Sequence, residues 1–151
     1  MAALPFRCVV SAYSALASGV ASTVLQLLAA STTKVRVDQV EVSFPDTSTT
    51  DAPALVRILR QTTVIGGSPT TNNPVKVRNG DAGTLQVTGK KKASSGDSEP
   101  TASDVYWSGY LHQQGRHIIP GPFIIEQSDR LGVEITPSAT INCGVVALGE
   151  E

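Results

Sequence analysis

In residues 34–44 apolar side chains alternate with polar ones: Val35 and Val37, then Val40, Val42 and Phe44. The alternation changes phase between Val37 and Val40. Successive side chains of a strand point to opposite faces, so a one-residue slip predicts a β-bulge or a bend. Phe44-Pro45-Asp46-Thr47 then stops the strand. Residues 54–63 predict a second strand, with Leu55 and Leu59 on one face, Val56 and Ile58 on the other, and Arg57 and Arg60 on opposite faces. Apolar residues on both faces predict burial from both sides over part of its length. Residues 64–74 are Gly-, Ser-, Pro- and Asn-rich and predict a loop. Residues 75–77 and 85–87 flank an Asn79-Gly80 turn signal and predict a hairpin. Residues 89–103 are polar and rich in turn formers, which predicts an exposed loop.

Residues 104–112 read as a strand carrying Val105, Trp107 and Leu111, with Tyr106 and Tyr110 together on the other side from Trp107. Ile118-Ile119 and Phe123-Ile124-Ile125 are short apolar runs around a rigid Pro-Gly-Pro turn. Leu131, Val133 and Ile135 alternate with Gly132, Glu134 and Thr136, and residues 141–148 form a closing strand. Residues 23–28 admit two readings. They make a strand, or Val20, Val24, Leu25 and Leu28 form one face of a short helix capped by Ser18. Eight or nine strands predict an all-β, two-sheet sandwich or barrel. We divide the chain into an N-terminal arm or first edge strand (1–20) and a single β-sandwich domain (21–151).

Composition supports this reading. Of 151 residues only 17% are charged, and the formal net charge is −1. Serine and threonine supply about a fifth of the chain and valine is its commonest residue, which favours strands over helical bundles. Balanced charge without a long basic face argues against nucleic-acid binding. Residues 1–30 superficially resemble a signal peptide, but Ser11, Ser14, Ser18, Gly19, Ser22, Thr23 and Gln26 interrupt the apolar stretch. We therefore expect the segment to be retained. The sequence has no run of 18 apolar residues of the kind a membrane-spanning helix needs. Cys8 and Cys143 read as buried thiols, although a bridge is possible if the first and last strands pair.

The candidate chemistry is sparse. His112, His117 and Glu126 resemble a degraded cupin metal motif, but the histidines lie five apart and straddle a turn, where cupins place them one residue apart. The sequence has no GxSxG elbow, phosphate-binding glycine loop or recognisable carboxylate pair, so no catalytic residue, metal or cofactor is assigned and the chain is not expected to be an enzyme. Lys90-Lys91-Lys92 is the basic cluster and reads as a solvated loop with little affinity for nucleic acid. Tyr106, Trp107 and Tyr110 form either a sugar-stacking platform or, more simply, a core tryptophan with tyrosines at the rim.

The run Thr23-Val-Leu-Gln-Leu-Leu-Ala-Ala followed by residues 34–44, the segments at 55–63 and 99–104, and GlyProPheIleIle…ArgLeuGlyValGluIleThr…GluGlu resemble the capsid decoration (cement) proteins of tailed bacteriophages. The resemblance covers most of residues 20–151. It implies a jelly-roll-like antiparallel β-sandwich, usually trimeric, that sits on the exterior of the virion after assembly in the host cytoplasm. The implied partners are the major capsid protein and further copies of the chain, with no nucleic acid and no membrane. Candidate capsid or subunit contacts are Pro5, Phe6 and Arg7 on an N-terminal arm, Lys90, Lys91 and Lys92, and Tyr106, Tyr110 and His112. Two other classes remain open: a receptor- or glycan-binding β-sandwich of a phage tail or fibre, and a cupin-like metal enzyme.

Overall fold

β-Branched residues at alternating positions favour extended chain, because a branched Cβ packs well on a pleated sheet and is restricted in a helix. A computed structural model describes residues 3–10, 14–45, 52–78, 80, 82–92 and 97–151, with Ser14 described by its backbone alone. Among these residues there is no helix, and twelve strands follow one another: β1 (Pro5–Val9), β2 (Ser14–Leu16), β3 (Ser22–Leu28), β4 (Val35–Phe44), β5 (Ala54–Gln61), β6 (Thr70–Thr71), β7 (Val75–Lys76), β8 (Thr88–Lys91), β9 (Ala102–Leu111), β10 (Gly115–Ile125), β11 (Arg130–Thr136) and β12 (Ile141–Glu150).

The first sheet has the order β10-β4-β12-β1-β7, with β2 also paired to β12, and the second has the order β6-β8-β3-β11-β5-β9. Every pairing is antiparallel. Without the four strands of two to four residues, the orders reduce to β10-β4-β12-β1 and β3-β11-β5-β9. That arrangement is the eight-stranded jelly roll, in which the chain passes back and forth between two packed sheets. The expected fold class is what the chain adopts.

One core lies between the sheets. Phe6 and Cys8 of β1, Val35, Val37, Val40 and Val42 of β4, and Cys143, Val145 and Ala147 of β12 face Leu25 and Leu27, Val56 and Ile58, and Leu131, Val133 and Ile135 of the second sheet. The phase change in β4 is a bulge. Gln39 pairs with Leu148 and Val37 with Gly149, so Asp38 is the extra residue. A bulge also resolves the ambiguity at residues 23–28. Leu25 faces Val133 and Thr23 faces Glu134, leaving Val24 extra. Val24 and Leu25 therefore both enter the core, which imitates helical spacing within a strand.

Four sequence expectations are corrected. The Pro-Gly-Pro segment is no turn: β10 runs through it, with its register against β4 shifting between Pro120 and Phe123. β10 is an edge strand, where two residues without an N–H are tolerated. A Cβ on Gly121 would lie 2.3 Å from the Val37 carbonyl oxygen, so the close approach to β4 requires glycine. The expected 75–77/85–87 hairpin does not form; β7 pairs with β1, and residues 85–87 are not strand. Asn79 of its turn signal lies outside the described residues, as do Met1, Asp46, Asp51 and residues 93–96. The expected loop at 89–103 contains most of β8 and the start of β9. Finally, Pro5, Phe6 and Arg7 do not belong to an arm. They lie in β1, between β12 and β7, and Phe6 is completely buried in the domain's own core, so it cannot contact a neighbour.

The first and last strands do pair, yet no disulfide forms. Cys8 faces Ala147, and Cys143 lies four residues further along β12, roughly 13 Å at strand rise, beyond bridging distance. Burial pushes the Cys8 thiol from 9.0 to about 11, against a smaller lowering by the Asn72 hydrogen bond. It pushes Cys143 from 9.0 to about 12. Raised thiol pKa values favour the folded state fully below pH 9, and that contribution is lost as pH rises through the folded values. We expect the melting temperature to fall between pH 8 and pH 11 more steeply in the natural protein than in a Cys8→Ala/Cys143→Ala variant. Neither thiol is expected to react with Ellman's reagent before denaturation, and stoichiometric reaction in native buffer would contradict this burial.

Candidate interaction surface

The two sheets treat their outward faces differently. On the second, Gln26 faces Gly132, which faces Leu59, and Gln61 lies over Gly132. Residues 62–69 and 97–101 cross this face. Ile65 closes over it with 2% exposure, Leu59 retains 1%, and Thr23, Gln26 and Gln61 are buried. The buried polar groups satisfy one another. Gln26 Nε2 donates to Gln61 Oε1 at 2.7 Å and to the Thr63 carbonyl at 3.0 Å. Gln61 Nε2 donates to Thr23 Oγ1 at 2.9 Å, and the Ile65 amide donates to Gln26 Oε1 at 3.2 Å. The crossing segments are joined by the Gly66 amide to the Ser98 carbonyl, and the Thr23 amide donates to Glu99. Beyond this cover, Arg57 pairs with Glu134, while Arg60, in register with core-facing Leu131, pairs with Asp129 and Asp104 on the other side of the strand.

Among the described residues no segment covers the outward face of the first sheet in this way. Cross-strand register aligns Ile118, Glu41, Val146 and Val9 in one line, and Pro120, Gln39, Leu148, Arg7 and Val75 in the next. Ile118 and Val75 are more than half exposed, Val77 and Ile124 are exposed beside them, and Val9, Val146 and Leu148 are half-buried. Arg116 pairs with Glu41 at 2.6 Å, and Arg36 reaches Asp38 and Glu150 at 2.7 and 3.2 Å. Arg7 is exposed and makes no ion pair among the described residues.

The second exposed apolar region is β9, the edge of the second sheet. Leu59 pairs with Val105 and Ile58 with Trp107, which makes Tyr106 a bulge residue and breaks the expected alternation. Tyr106 reaches the neighbouring edge strand. Its hydroxyl donates to the Ile124 carbonyl at 3.2 Å, and its ring meets Phe123 at 6.3 Å. Desolvation, then Asp129, holds its hydroxyl above the usual phenol range. Tyr110 pairs with Leu55 and is 71% exposed, and Val105 is 56% exposed. The Trp107 ring lies over Gly109 against the core. The three rings therefore form no common platform. His112 is exposed at the end of β9.

The other candidates do not converge. Lys90 and Lys91 lie in β8 opposite Gln26 and Thr70, and Lys92 pairs with Glu99; all three are half-buried. They form no exposed basic patch. His117 Nε2 lies 2.8 Å from the His112 carbonyl and 3.0 Å from that of Gln114, and its ring meets Phe44 edge-on. Glu126, just past the end of β10, pairs with Lys34. The register sets His117 level with Val145 and Ile124 level with Glu150, so Glu126 lies roughly 23 Å from His117 at strand rise. The cupin-like trio is not a site, and among the described residues no group of three His, Cys, Asp or Glu is placed to hold a metal. What sequence reading missed is the outward face of the first sheet. Its residues come from five strands, and only pairing brings them together. Compared with family models, curated proteins and solved structures, the chain matches none of them.

Proposed function

We propose that this protein is a structural virion protein that decorates and stabilises a tailed-bacteriophage capsid by bridging major capsid protein subunits. The observation that carries this reading is the β9 edge, where Tyr106, Tyr110 and Val105 stand exposed beside His112 on a self-contained jelly roll. The segments that resemble decoration proteins support it. An exposed tyrosine offers large apolar area with a polar tip and loses little rotamer freedom on binding, as interface anchors do. A ligand that binds the assembled shell and not its separated subunits stabilises the shell by mass action. Contacts of modest strength become tenacious when many are linked through one lattice.

The test uses expanded capsids built from the major capsid protein encoded in the same genome. The full chain is expected to co-sediment in fixed stoichiometry and to raise the capsid melting temperature. Tyr110→Ala is expected to lower capsid affinity at least tenfold, as loss of an interface anchor does, with the chain's own melting temperature unchanged. Absence of the natural protein from sedimented capsids would refute the assignment.

A further inference from the structure

We infer that the outward face of the first sheet is a homotypic interface, on which a second copy of this chain packs about a two-fold axis. The inference does not depend on the capsid reading. The chain buries the outward face of its second sheet with its own residues 62–69 and 97–101, whereas among the described residues no segment crosses the first. The first face nonetheless carries Val75, Val77, Ile118 and Ile124, four of the nine exposed large apolar side chains among the described residues, with Val9, Val146 and Leu148 between them. Glu41 separates Ile118 from Val146 and Arg7 separates Leu148 from Val75, so the face is mixed, and exposed apolar area gathered on one face among polar residues marks an association site.

Size and charge identify the occupant. Four main strands about 4.8 Å apart, with the longest running about 33 Å, give a flat face of roughly 600 Å². Side-chain relief brings this close to the roughly 800 Å² per partner of a stable complex. Among the described residues the face carries one cation without a carboxylate, Arg7, and one carboxylate in excess, because Arg36 is shared between Asp38 and Glu150. A partner with the same surplus and deficit completes both, and a second copy presented through a two-fold axis has them. In an isologous contact the same patch serves both subunits. Packed as two sheets of a sandwich pack, about 10 Å apart, Ile118, Val146, Leu148 and Val9 interdigitate with their counterparts. The family resemblance implies a trimer, but a closed ring of three needs two unlike, complementary patches. A single self-complementary face closes as a dimer.

Native mass spectrometry and sedimentation of the full chain at up to about 100 μM, well above the dissociation constants of specific complexes, test this. The expected result is a species of twice the 15.8 kDa chain mass. Ile118→Glu and Val75→Glu alter side chains already more than half exposed. Each is expected to weaken association at least tenfold, with circular dichroism and melting of the monomer unchanged, and Arg7→Glu to weaken it by a similar factor. A monomeric natural protein would overturn the inference. So would a trimer, or a dimer unaffected by Ile118→Glu. A dimer lost only with Tyr110→Ala would place the contact on β9 and overturn it equally. None of these outcomes bears on whether capsids bind the chain, which the co-sedimentation experiment decides separately.

Discussion

Phe6→Ala is expected to lower the unfolding free energy of the isolated protein by about 3–5 kcal/mol, the usual cost of truncating a buried phenylalanine. Phe6 has no exposed surface, and its ring lies against β12, where a Cβ on Gly149 would come within 3.0 Å of its Cζ. Neighbouring elements are tied by backbone hydrogen bonds. Leu4 and Glu151 exchange a pair, and Val77 donates to Pro5. They cannot collapse fully into the space an alanine leaves. Domains of this size are stable by only about 5–15 kcal/mol, so the variant is expected to unfold at markedly lower denaturant. Arg7→Ala, one residue away on the solvent side, is expected to change stability by less than about 0.5 kcal/mol. Equilibrium urea unfolding of both variants separates a core strand from an arm. An arm that served only a neighbour would leave the isolated chain equally stable in both.

Gln61→Ala is the second large effect, at about 2–4 kcal/mol, combining a small cavity with unmet hydrogen-bonding groups in a dry site. Gln61 accepts from Gln26 and donates to Thr23. Without it the Gln26 side chain loses one of the partners that fix its Oε1 toward the Ile65 amide, so the cover over the second sheet should loosen. Hydrogen exchange at Ile65 and Thr101 is expected to accelerate while that of β4 and β12 is retained. Gly132→Ala alone is also expected to destabilise, because its Cβ would fall 2.2 Å from Gln61 Cδ. In the double variant the new methyl occupies space the glutamine vacates, so the two costs should sum to less than their separate values. Additive costs would show that Gln61 and Gly132 do not share one packed site.

Fold class was legible because alternation is a local property. Residues 35–44, 54–61, 130–136 and 141–150 are strands where their patterns place them, and the slip between Val37 and Val40 is a bulge at Asp38. Legibility failed where a local signal has two causes. Val24, Leu25 and Leu28 look helical because a bulge doubles one inward position. Pro-Gly-Pro looks like a turn because its composition does not reveal that β10 is an edge strand with room for a bulge. Phe6 looks isolated because its neighbours in space, on β12 and across the core, lie far away in sequence.

The sequence by itself determined that this chain is all β, that its strands form two layers, and that it carries no recognisable catalytic motif. Branched apolar side chains at period two allow little else, whatever their partners. Tertiary structure alone decided which outward face would be exposed. Gln26, Leu59, Gln61 and Ile65 are covered because residues 62–69 and 97–101 fold across them. Val9, Val75, Ile118, Val146 and Leu148 share one face, which no other described segment crosses, because five strands from distant parts of the chain pair side by side. A side chain's face follows from alternation along its own strand, but what covers that face depends on contacts between segments far apart in sequence.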